Sequence, residues 1–301
     1  MRRARGRRRG ACAGAALGAC LGLPLCPPAH AAPTAGATKQ APAAPKAAKP
    51  AAEQFPLFAL DVYNTSLVYT VTLNGFPVDD SPGNANGHFS STRVGEYVAD
   101  GQNTFAVHLA APAPKFLSGF AATVRATGGQ ELYTYEWDPN APHHPPLPVQ
   151  AQAHFTALLP LGPWAWQTAP KITLDAPTKA AISASIKRLH DALDRKNVEE
   201  SVALFAPRNR AYGASQGKSA AEADKDSRDG WGEEFAKPGW HLIPIDYPHL
   251  RYELIAGGRV VHVTRSDSGR PLMGAVPEAG GSYTGYDLFL CLVHGQWTLI
   301  R

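Results

Sequence analysis

The spacing of apolar residues changes partway along the chain, near Pro177, and this change restricts the fold more than any other feature. Between residues 55 and 168, short runs of apolar and β-branched residues are separated by turn residues, which is typical of strands. After Pro177, apolar residues recur at the spacing of one helix face, at Ile182, Ile186, Leu189 and Leu193. Because the two spacings belong to different element types, we expect two domains: an all-β sandwich over residues 55–170 and an α+β domain over residues 177–301.

The first domain is predicted to consist of antiparallel strands joined by tight turns. Asn74-Gly75 ends one apolar run, and Gly128-Gly129 joins two others as a hairpin. No helical spacing interrupts these runs, which favours a sandwich. The predicted strands are residues 57–63, 67–73, 104–109, 119–126, 131–137 and 149–157.

Three segments of this domain share a pattern with a known class of module. They are Leu-Asn-Gly-Phe-Pro-Val at 73–78, Val-Gly-Glu-Tyr-Val at 94–98 and Asp-Gly-Gln-Asn-Thr-Phe-Ala-Val at 100–107. The pattern resembles that of the jelly-roll carbohydrate-binding-like domains attached to many exported glycosidases. Its residues are mostly structural ones, such as Asn-Gly for a turn and Asn103 for capping the next strand. The resemblance therefore implies a sandwich fold more than it implies sugar binding.

The second domain is predicted to begin with three helices and to end with antiparallel strands. Asn197 begins the second helix, with Glu200 as its capping-box partner, and Pro207 is expected to end it. A third helix is expected over residues 219–235. Helices followed by a meander of strands indicate an α+β domain. The predicted strands are residues 240–245, 250–255, 260–265, 286–293 and 297–300.

The opening of this domain, Leu-His-Asp-Ala-Leu-Asp-Arg-Lys-Asn-Val-Glu-Glu-Ser-Val-Ala-Leu-Phe-Ala-Pro at 189–207, resembles that of the nuclear transport factor 2-like superfamily. That superfamily includes ketosteroid isomerase and the SnoaL-like proteins. The resemblance implies a cone-shaped fold in which helices pack on a curved antiparallel sheet. The fold hosts enzymes, binding modules and dimerisation units, so it assigns no activity by itself.

A cone fold of this kind implies a ligand pocket between the helices and the concave face of the sheet. Alternation places Val260, His262 and Thr264 on one face, so His262 enters the pocket if that face points inward. An isomerase would need a carboxylate base and a hydrogen-bond donor, but the catalytic Asp and Tyr of the family are not matched, and we assign no catalytic residue. The candidate pocket residues are Trp231, Trp240, Asp246, Tyr252, His262, Asp287 and Trp297.

The amino terminus is predicted to be an export signal. An arginine-rich start, an apolar run over residues 10–25 and Ala29-His30-Ala31 form the three parts of a signal peptide over residues 1–31. An Ala/Pro/Lys-rich disordered linker is expected over residues 32–54. We expect a periplasmic or secreted protein whose mature chain has no transmembrane helix. The alternative is a lipoprotein anchored at Cys20, because residues 17–20 resemble a lipobox.

Charge and cysteine content exclude several functions. The 29 basic residues include six arginines in the predicted signal peptide, which leaves 23 basic against 25 acidic residues in the mature chain. No basic stripe remains for nucleic acid, so we expect none as a partner. Of the four cysteines, only Cys291 lies outside the leader, in an apolar run where a thiol behaves as a small hydrophobe. His143 and His144 have no partners at ligand spacing, and we expect neither a metal nor a cofactor.

The sequence therefore favours an exported, non-catalytic envelope protein that binds a small ligand or a protein partner. Two alternatives stay open: a small-molecule isomerase or hydrolase that uses the pocket of the second domain, and a carbohydrate-binding accessory module in the sandwich. A homodimer through the sheet of the second domain is a further option. The loop over residues 267–281 is a candidate partner-binding lip because of its length.

Overall fold

The structure is a computed structural model that describes residues 57–64, 67–81, 88–110, 119–265, 270–276 and 283–301. All of these residues belong to one compact unit, Gln40–Arg301. The signal peptide predicted at 1–31, the linker at 32–54 and the lipidation alternative at Cys20 lie outside the described residues.

The first half of the described chain is built from antiparallel strands. They form two four-stranded sheets, with strand orders β4-β1-β6-β7 and β3-β2-β5-β8. Every predicted strand is found, with its ends shifted by no more than a few residues. The strands are β1 (Phe58–Asn64), β2 (Val68–Leu73), β3 (Phe76–Ser81), β4 (His88–Arg93), β5 (Gly101–Ala110), β6 (Phe120–Ala126), β7 (Glu131–Trp137) and β8 (Val149–Ala157).

Aromatic side chains join the inner faces of these two sheets. The Tyr69 ring of β2 lies 5.2 Å from the Phe120 ring of β6, between centroids. The Phe105 ring of β5 lies 5.0 Å from the Tyr133 ring of β7. Both pairs connect one sheet to the other, so the first half has a core between its sheets.

Strands β3 and β4 were not predicted, because their many polar residues break the alternation of apolar and polar residues that is typical of strands. Each is an edge strand of its sheet. Asp79 of β3 accepts hydrogen bonds from the hydroxyls of Ser90 in β4 and of Tyr69, the latter at 3.3 Å. Polar residues of these two edge strands therefore form a hydrogen bond between one sheet and the other.

Asn74 and Asn103, two residues of the jelly-roll-like pattern, form a hydrogen-bond network at the end of the first half. Asn103 is fully buried, accepts from the Ala99 amide at 2.7 Å and donates to the Ala99 carbonyl at 3.0 Å. Asn74 donates to Oδ1 of Asn103 and to the Tyr97 carbonyl, both at 2.8 Å. The asparagines of the pattern thus hold the segment around residues 95–103 in place.

The second half begins with helices that start after capping side chains, of which Asn197 was predicted. Asp175, Asn197 and Ser219 each accept a hydrogen bond from a backbone amide three residues on. The prediction that Pro207 ends the second helix is wrong. Pro207 is exposed on the helix surface, where water can bond the carbonyl that loses its amide donor. The helices are α1 (Ala165–Thr168), α2 (Ala176–Asp194), α3 (Val198–Ser215) and α4 (Ala220–Ala236).

The strands of the second half form two antiparallel sheets, with orders β10-β11-β14-β15 and β13-β12-β9. The run predicted as one strand over 286–293 is divided at Asp287 between the two sheets. Strand β12 lies inside the predicted loop 267–281, of which residues 270–276 are described. The strands are β9 (His241–Leu242), β10 (Leu250–Ile255), β11 (Val260–Arg265), β12 (Leu272–Ala275), β13 (Tyr283–Tyr286), β14 (Leu288–Val293) and β15 (Gln296–Leu299).

The sheet β10-β11-β14-β15 is covered on both faces. Val261 and Val263 pack in the core that contains the helices. Val260, Phe289 and Cys291 pack in the core of the first half. The described residues thus contain a β-rich part followed by an α+β part, and the boundary at residues 170–177 stays a prediction. A homodimer through this sheet also stays a prediction, and its contact would have to use an edge strand.

Within the described residues, we find no helix with both the length and the apolar character needed to cross a membrane.

The Asn103 network yields the first prediction. Replacing Asn103 with alanine leaves the buried amide and carbonyl of Ala99 without side-chain partners, so we expect the free energy of unfolding to fall by about 2–4 kcal/mol in urea titrations. Asn140→Ala, in an exposed turn, is the control and should change it by less than about 0.5 kcal/mol. Equal losses in the two variants would contradict the network's role.

Candidate functional site

Trp231 and Trp240, two of the predicted pocket residues, belong to an aromatic cluster between the helices and the sheet β13-β12-β9. The ring of Phe235 lies 5.2 Å from Trp231 and 4.9 Å from Trp240, between centroids. Trp231 also lies 5.3 Å from Phe205 and 5.5 Å from Tyr286. Trp240 is enclosed by this packing, whereas Trp231 reaches the wall of a cavity described below.

Tyr252 and Trp297 lie elsewhere, between the sheet β10-β11-β14-β15 and helix α2. The hydroxyls of Tyr252 and Ser183 are 2.7 Å apart. The backbone carbonyl of Trp297 accepts a hydrogen bond from Ser185 at 3.3 Å. Both residues therefore fasten the helix to the sheet.

His262 lies on the opposite face of that sheet, toward the first half of the chain. Its ring stacks on Phe289 at 4.3 Å between centroids, and Phe289 contacts Phe76 of β3 at 5.6 Å. Burial lowers the pKa of His262 and keeps the ring neutral. The face that carries His262 is packed against the strands of the first half rather than against the helices.

The two carboxylates, Asp246 and Asp287, are both exposed. Asp246 accepts a hydrogen bond from His249 at 2.7 Å, and Asp287 lies 3.9 Å from Arg270. The structure therefore does not gather the seven predicted residues in one place, and Trp231 is the one that lines the cavity. A ligand-binding role for the other six stays a prediction.

A cavity of about 560 Å³ opens between helices α3 and α4, strand β13, the carboxyl end of the chain and a turn from the first half. The size is within the range of small-molecule sites. The residues that matter for its chemistry are Glu96, Arg208, Tyr212, Trp231, Tyr286 and Arg301.

The turn that brings Glu96 to this cavity is the buried 3₁₀ turn Gly95–Tyr97. The indole N–H of Trp164 bonds the carbonyls of Gly95 and Val98, both at 3.1 Å. The indole N–H of Trp166 bonds the Glu96 carbonyl at 3.1 Å. The two tryptophans thus fix the backbone of the turn that contains Glu96.

A glycine sets the distance between the two helices that line the cavity. A Cβ atom on Gly213 of α3 would lie 2.8 Å from the Cβ atom of Ala223 in α4. Helices that approach this closely need a hydrogen at one position of the contact. Gly213 therefore permits the close approach of α3 and α4 at the cavity wall.

Glu96 is buried and ionised only with difficulty. Its carboxylate pairs with the guanidinium of Arg301 through Oε1. Burial raises the pKa of Glu96, and the charge of Arg301 partly opposes that rise. Oε2 has no partner within hydrogen-bond distance among the described residues. The Ser215 hydroxyl donates to the Tyr212 carbonyl at 2.7 Å, yet it lies near enough to the Glu96 carboxyl group to oppose part of the rise in its pKa.

Arg208 of α3 is a partly buried cation. It donates one hydrogen bond to Asn209 at 3.0 Å, and its guanidinium lies 5.9 Å from the ring centroids of Phe205 and Tyr286. Among the described residues, no carboxylate lies within salt-bridge distance of it. Burial lowers the pKa of Arg208, and the positive charge of Arg301 adds to that effect.

The other charged side chains around the cavity have partners. Lys218 and Asp226 pair with each other at 2.5 Å. Glu234 pairs with Lys237 at 2.5 Å and accepts from Thr284 at 3.1 Å. In the part of the chain that is described, Arg208 is thus the charge of the cavity wall that lacks an opposite partner. The arrangement can hold a negative group against Arg208.

Sequence reasoning did not find Glu96, Arg208 or Arg301. The signal available for Glu96 was a lone charge inside the apolar run Val94–Val98 of the jelly-roll-like pattern. Arg208 stands beyond Pro207, at which the helix was expected to end. The three residues come from segments far apart in the chain, so no spacing connects them.

The chain matches no protein-family model, and comparisons with curated proteins and with solved structures give no match either. The resemblances to jelly-roll carbohydrate-binding-like domains and to the nuclear transport factor 2-like superfamily therefore stay predictions.

Gly213 provides a test of the helix contact. Gly213→Ala should lower the free energy of unfolding by about 1–3 kcal/mol, because the added methyl forces α3 and α4 apart by more than the gain in helix propensity offsets. Gly232→Ala, in α4 with no atom near its Cβ position, is the matched control and should raise it by about 0.5–1 kcal/mol. The same sign of change in both variants would contradict the close contact.

The Glu96–Arg301 pair gives a prediction with a defined pH dependence. Arg301→Gln leaves Glu96 buried without its ion-pair partner and should lower the free energy of unfolding at pH 7 by about 2 kcal/mol, less than for a fully buried pair because 33% of the Arg301 side chain is exposed.

The sign follows from the raised pKa of Glu96. Protonated Glu96 stabilises the fold fully below the unfolded pKa, and this contribution is lost as pH rises through the folded pKa. Relative to the wild type, the free energy of unfolding of the variant should therefore fall most at neutral pH and little in acid. Denaturant titrations at several pH values measure this difference. A loss that is equal at all pH values would show that Glu96 does not carry the effect.

Proposed function

We propose that this protein is an exported, non-catalytic envelope protein that binds a small organic anion in the cavity between α3 and α4. The observation that carries the proposal is Arg208, a partly buried guanidinium without a carboxylate partner in the described chain, in a cavity wall whose other charges are paired. Removing a cation from water is unfavourable unless an opposite charge compensates it. A bound anion supplies that compensation.

The surroundings of Arg208 favour an anion with an apolar body. Trp231 and Tyr286 line the same cavity, and Tyr212 contributes a third aromatic ring. Burial raises the pKa of Tyr286 to about 12, so its hydroxyl stays neutral and can donate a hydrogen bond. A carboxylate or phosphate group at Arg208 and a flat apolar group against Trp231 would use both parts of the wall.

The proposal includes a fold and a compartment. We propose that the two facing sheets of the first half form a sandwich, which the ring contacts between them support. We also propose that the second half is a cone-shaped fold, which the packing of helices on an antiparallel sheet supports. Export rests on the predicted signal peptide at residues 1–31.

One observation favours the alternative of an isomerase or hydrolase. Glu96 lines the same cavity as Arg208, and burial raises its pKa, so this carboxyl group holds a proton at a higher pH than an exposed glutamate does. In an enzyme, Arg208 would hold an anionic substrate and Glu96 would transfer the proton. Turnover of a bound anion, rather than binding alone, would favour this alternative.

Another observation favours the carbohydrate-binding alternative. Tyr63 of β1 and Phe89 of β4 are opposite each other across the two strands, and they are 55% and 68% exposed. Exposed aromatic rings on neighbouring strands can stack on sugar rings. A shift of their fluorescence or NMR signals by oligosaccharides would support a sugar site on this face.

Arg208→Gln tests the proposed function. Isothermal titration with benzoate should show binding to the wild-type protein and a loss of at least about tenfold in the variant, because a charge-assisted hydrogen bond is removed. Arg210→Gln is the matched control. Arg210 is two residues away on α3, exposed, and paired with Asp224. Equal affinities in Arg208→Gln and the wild type would contradict the proposal.

A further inference from the structure

Two guanidinium groups stand at one end of the cavity against a single carboxylate. The charge of Arg301 lowers the pKa of Arg208, so the two cations are close enough to repel each other. Glu96 pairs with Arg301 and leaves Arg208 without a salt bridge in the described chain. This end of the cavity therefore has an excess of positive charge even with Glu96 ionised.

The carboxylate that holds Arg301 is a poor partner for it. Its Oε2 atom is buried with no hydrogen-bond partner among the described residues, and only 5% of the side chain is exposed. Burial of a carboxylate with an unsatisfied oxygen disfavours its charged form, so this group takes up a proton more readily than an exposed carboxylate does. If Glu96 is protonated, Arg301 loses its counter-ion.

Arg301 is placed so that it can serve a second partner. A third of its side chain is exposed, it lines the cavity, and its guanidinium lies 4.7 Å from the ring centroid of Tyr97. The contact with the ring face holds the cation whether or not Glu96 is charged. A ligand anion can then replace the carboxylate as its ion-pair partner.

We propose that Arg301 is a second anion-binding residue of this cavity and that the ligand is a dianion, a dicarboxylate or a phosphate monoester, which bridges Arg208 and Arg301 while Glu96 takes up a proton. The inference rests on the proposed function, because it concerns the same cavity. It adds the charge of the ligand and a proton that accompanies binding.

Several charged or titratable groups surround Glu96. Their net charge is positive, which agrees with the binding of a dianion at this end of the cavity. Arg301 follows β15, Arg208 comes from α3, and Tyr97 belongs to the same turn as Glu96. Asp287 acts on Tyr97, and Tyr286 acts on Arg208. The indole groups of the connector bond backbone atoms of the turn and carry no charge. The cations are thus the charged groups nearest to Glu96, and its protonation raises the net positive charge.

The test compares two ligands that differ by one carboxylate. Isothermal titration with isophthalate and benzoate, at about pH 6 and about pH 8, should show isophthalate binding at least about tenfold tighter, with the larger preference at the lower pH. Titration in two buffers of different ionisation enthalpy should show net proton uptake with isophthalate. Phenyl phosphate in parallel distinguishes a phosphoryl ligand from a dicarboxylate.

The variant Glu96→Gln removes the ionisable carboxylate and keeps the rest of the cavity, so it measures the contribution of that carboxylate to binding. This variant should bind isophthalate more tightly than the wild type at about pH 8, with no proton uptake and little pH dependence. Adding Arg301→Gln should reduce the preference for isophthalate over benzoate to near unity. Arg210→Gln, which removes a cation of α3 outside the cavity, should keep the preference. Thermal melts of each variant confirm folding.

The outcomes distinguish this inference from the proposed function. If benzoate and isophthalate bind equally and Glu96→Gln changes neither affinity, the dianion inference is overturned while anion binding at Arg208 stands. If neither ligand nor phenyl phosphate binds to the wild type or to folded Glu96→Gln, the proposed function is overturned, and the dianion inference with it. A preference for isophthalate that Arg301→Gln removes supports the inference.

Discussion

Two indole hydrogen-bond donors hold the point at which the halves of the chain meet. Trp164 and Trp166 bond three carbonyls of the buried segment 95–98. The turn in this segment lies between strands β4 and β5 of the first half. Helix α3 and Arg301 pack against the turn. The position of Glu96 depends on these bonds, and so does the chemistry of the cavity.

The same packing explains why a carboxylate can stand in the interior. The indole of Trp166 holds the backbone of Glu96 in the interior. The guanidinium of Arg301 compensates the charge of the Glu96 carboxylate through one of its oxygens. Arg208 has no such compensation in the described chain. We propose that this unbalanced cation, which lies beside aromatic rings in an open cavity, forms an anion-binding site.

Much of the fold follows from local pattern. The cap at Asn197 and the glycine turns predicted a helix start and hairpins correctly because their effect extends over a few residues. Strands β3 and β4 were missed because polar residues on edge strands break the alternation. Pro207 was misread because its exposed position lets water bond the carbonyl that loses its amide donor, which lowers the cost of a proline inside a helix.

The site was less predictable than the fold. Of the seven expected pocket residues, Trp231 lines the cavity, because it lies on the third predicted helix, which is present as α4 and forms one wall of that cavity. Glu96, Arg208 and Arg301 meet through tertiary packing alone. The measurement that tests the account most directly is a crystal structure with an iodinated benzoate, whose iodine is located by anomalous scattering. The account predicts the carboxylate within hydrogen-bond distance of Arg208 and the iodinated ring against Trp231. A compound bound elsewhere, with this cavity empty, would contradict it.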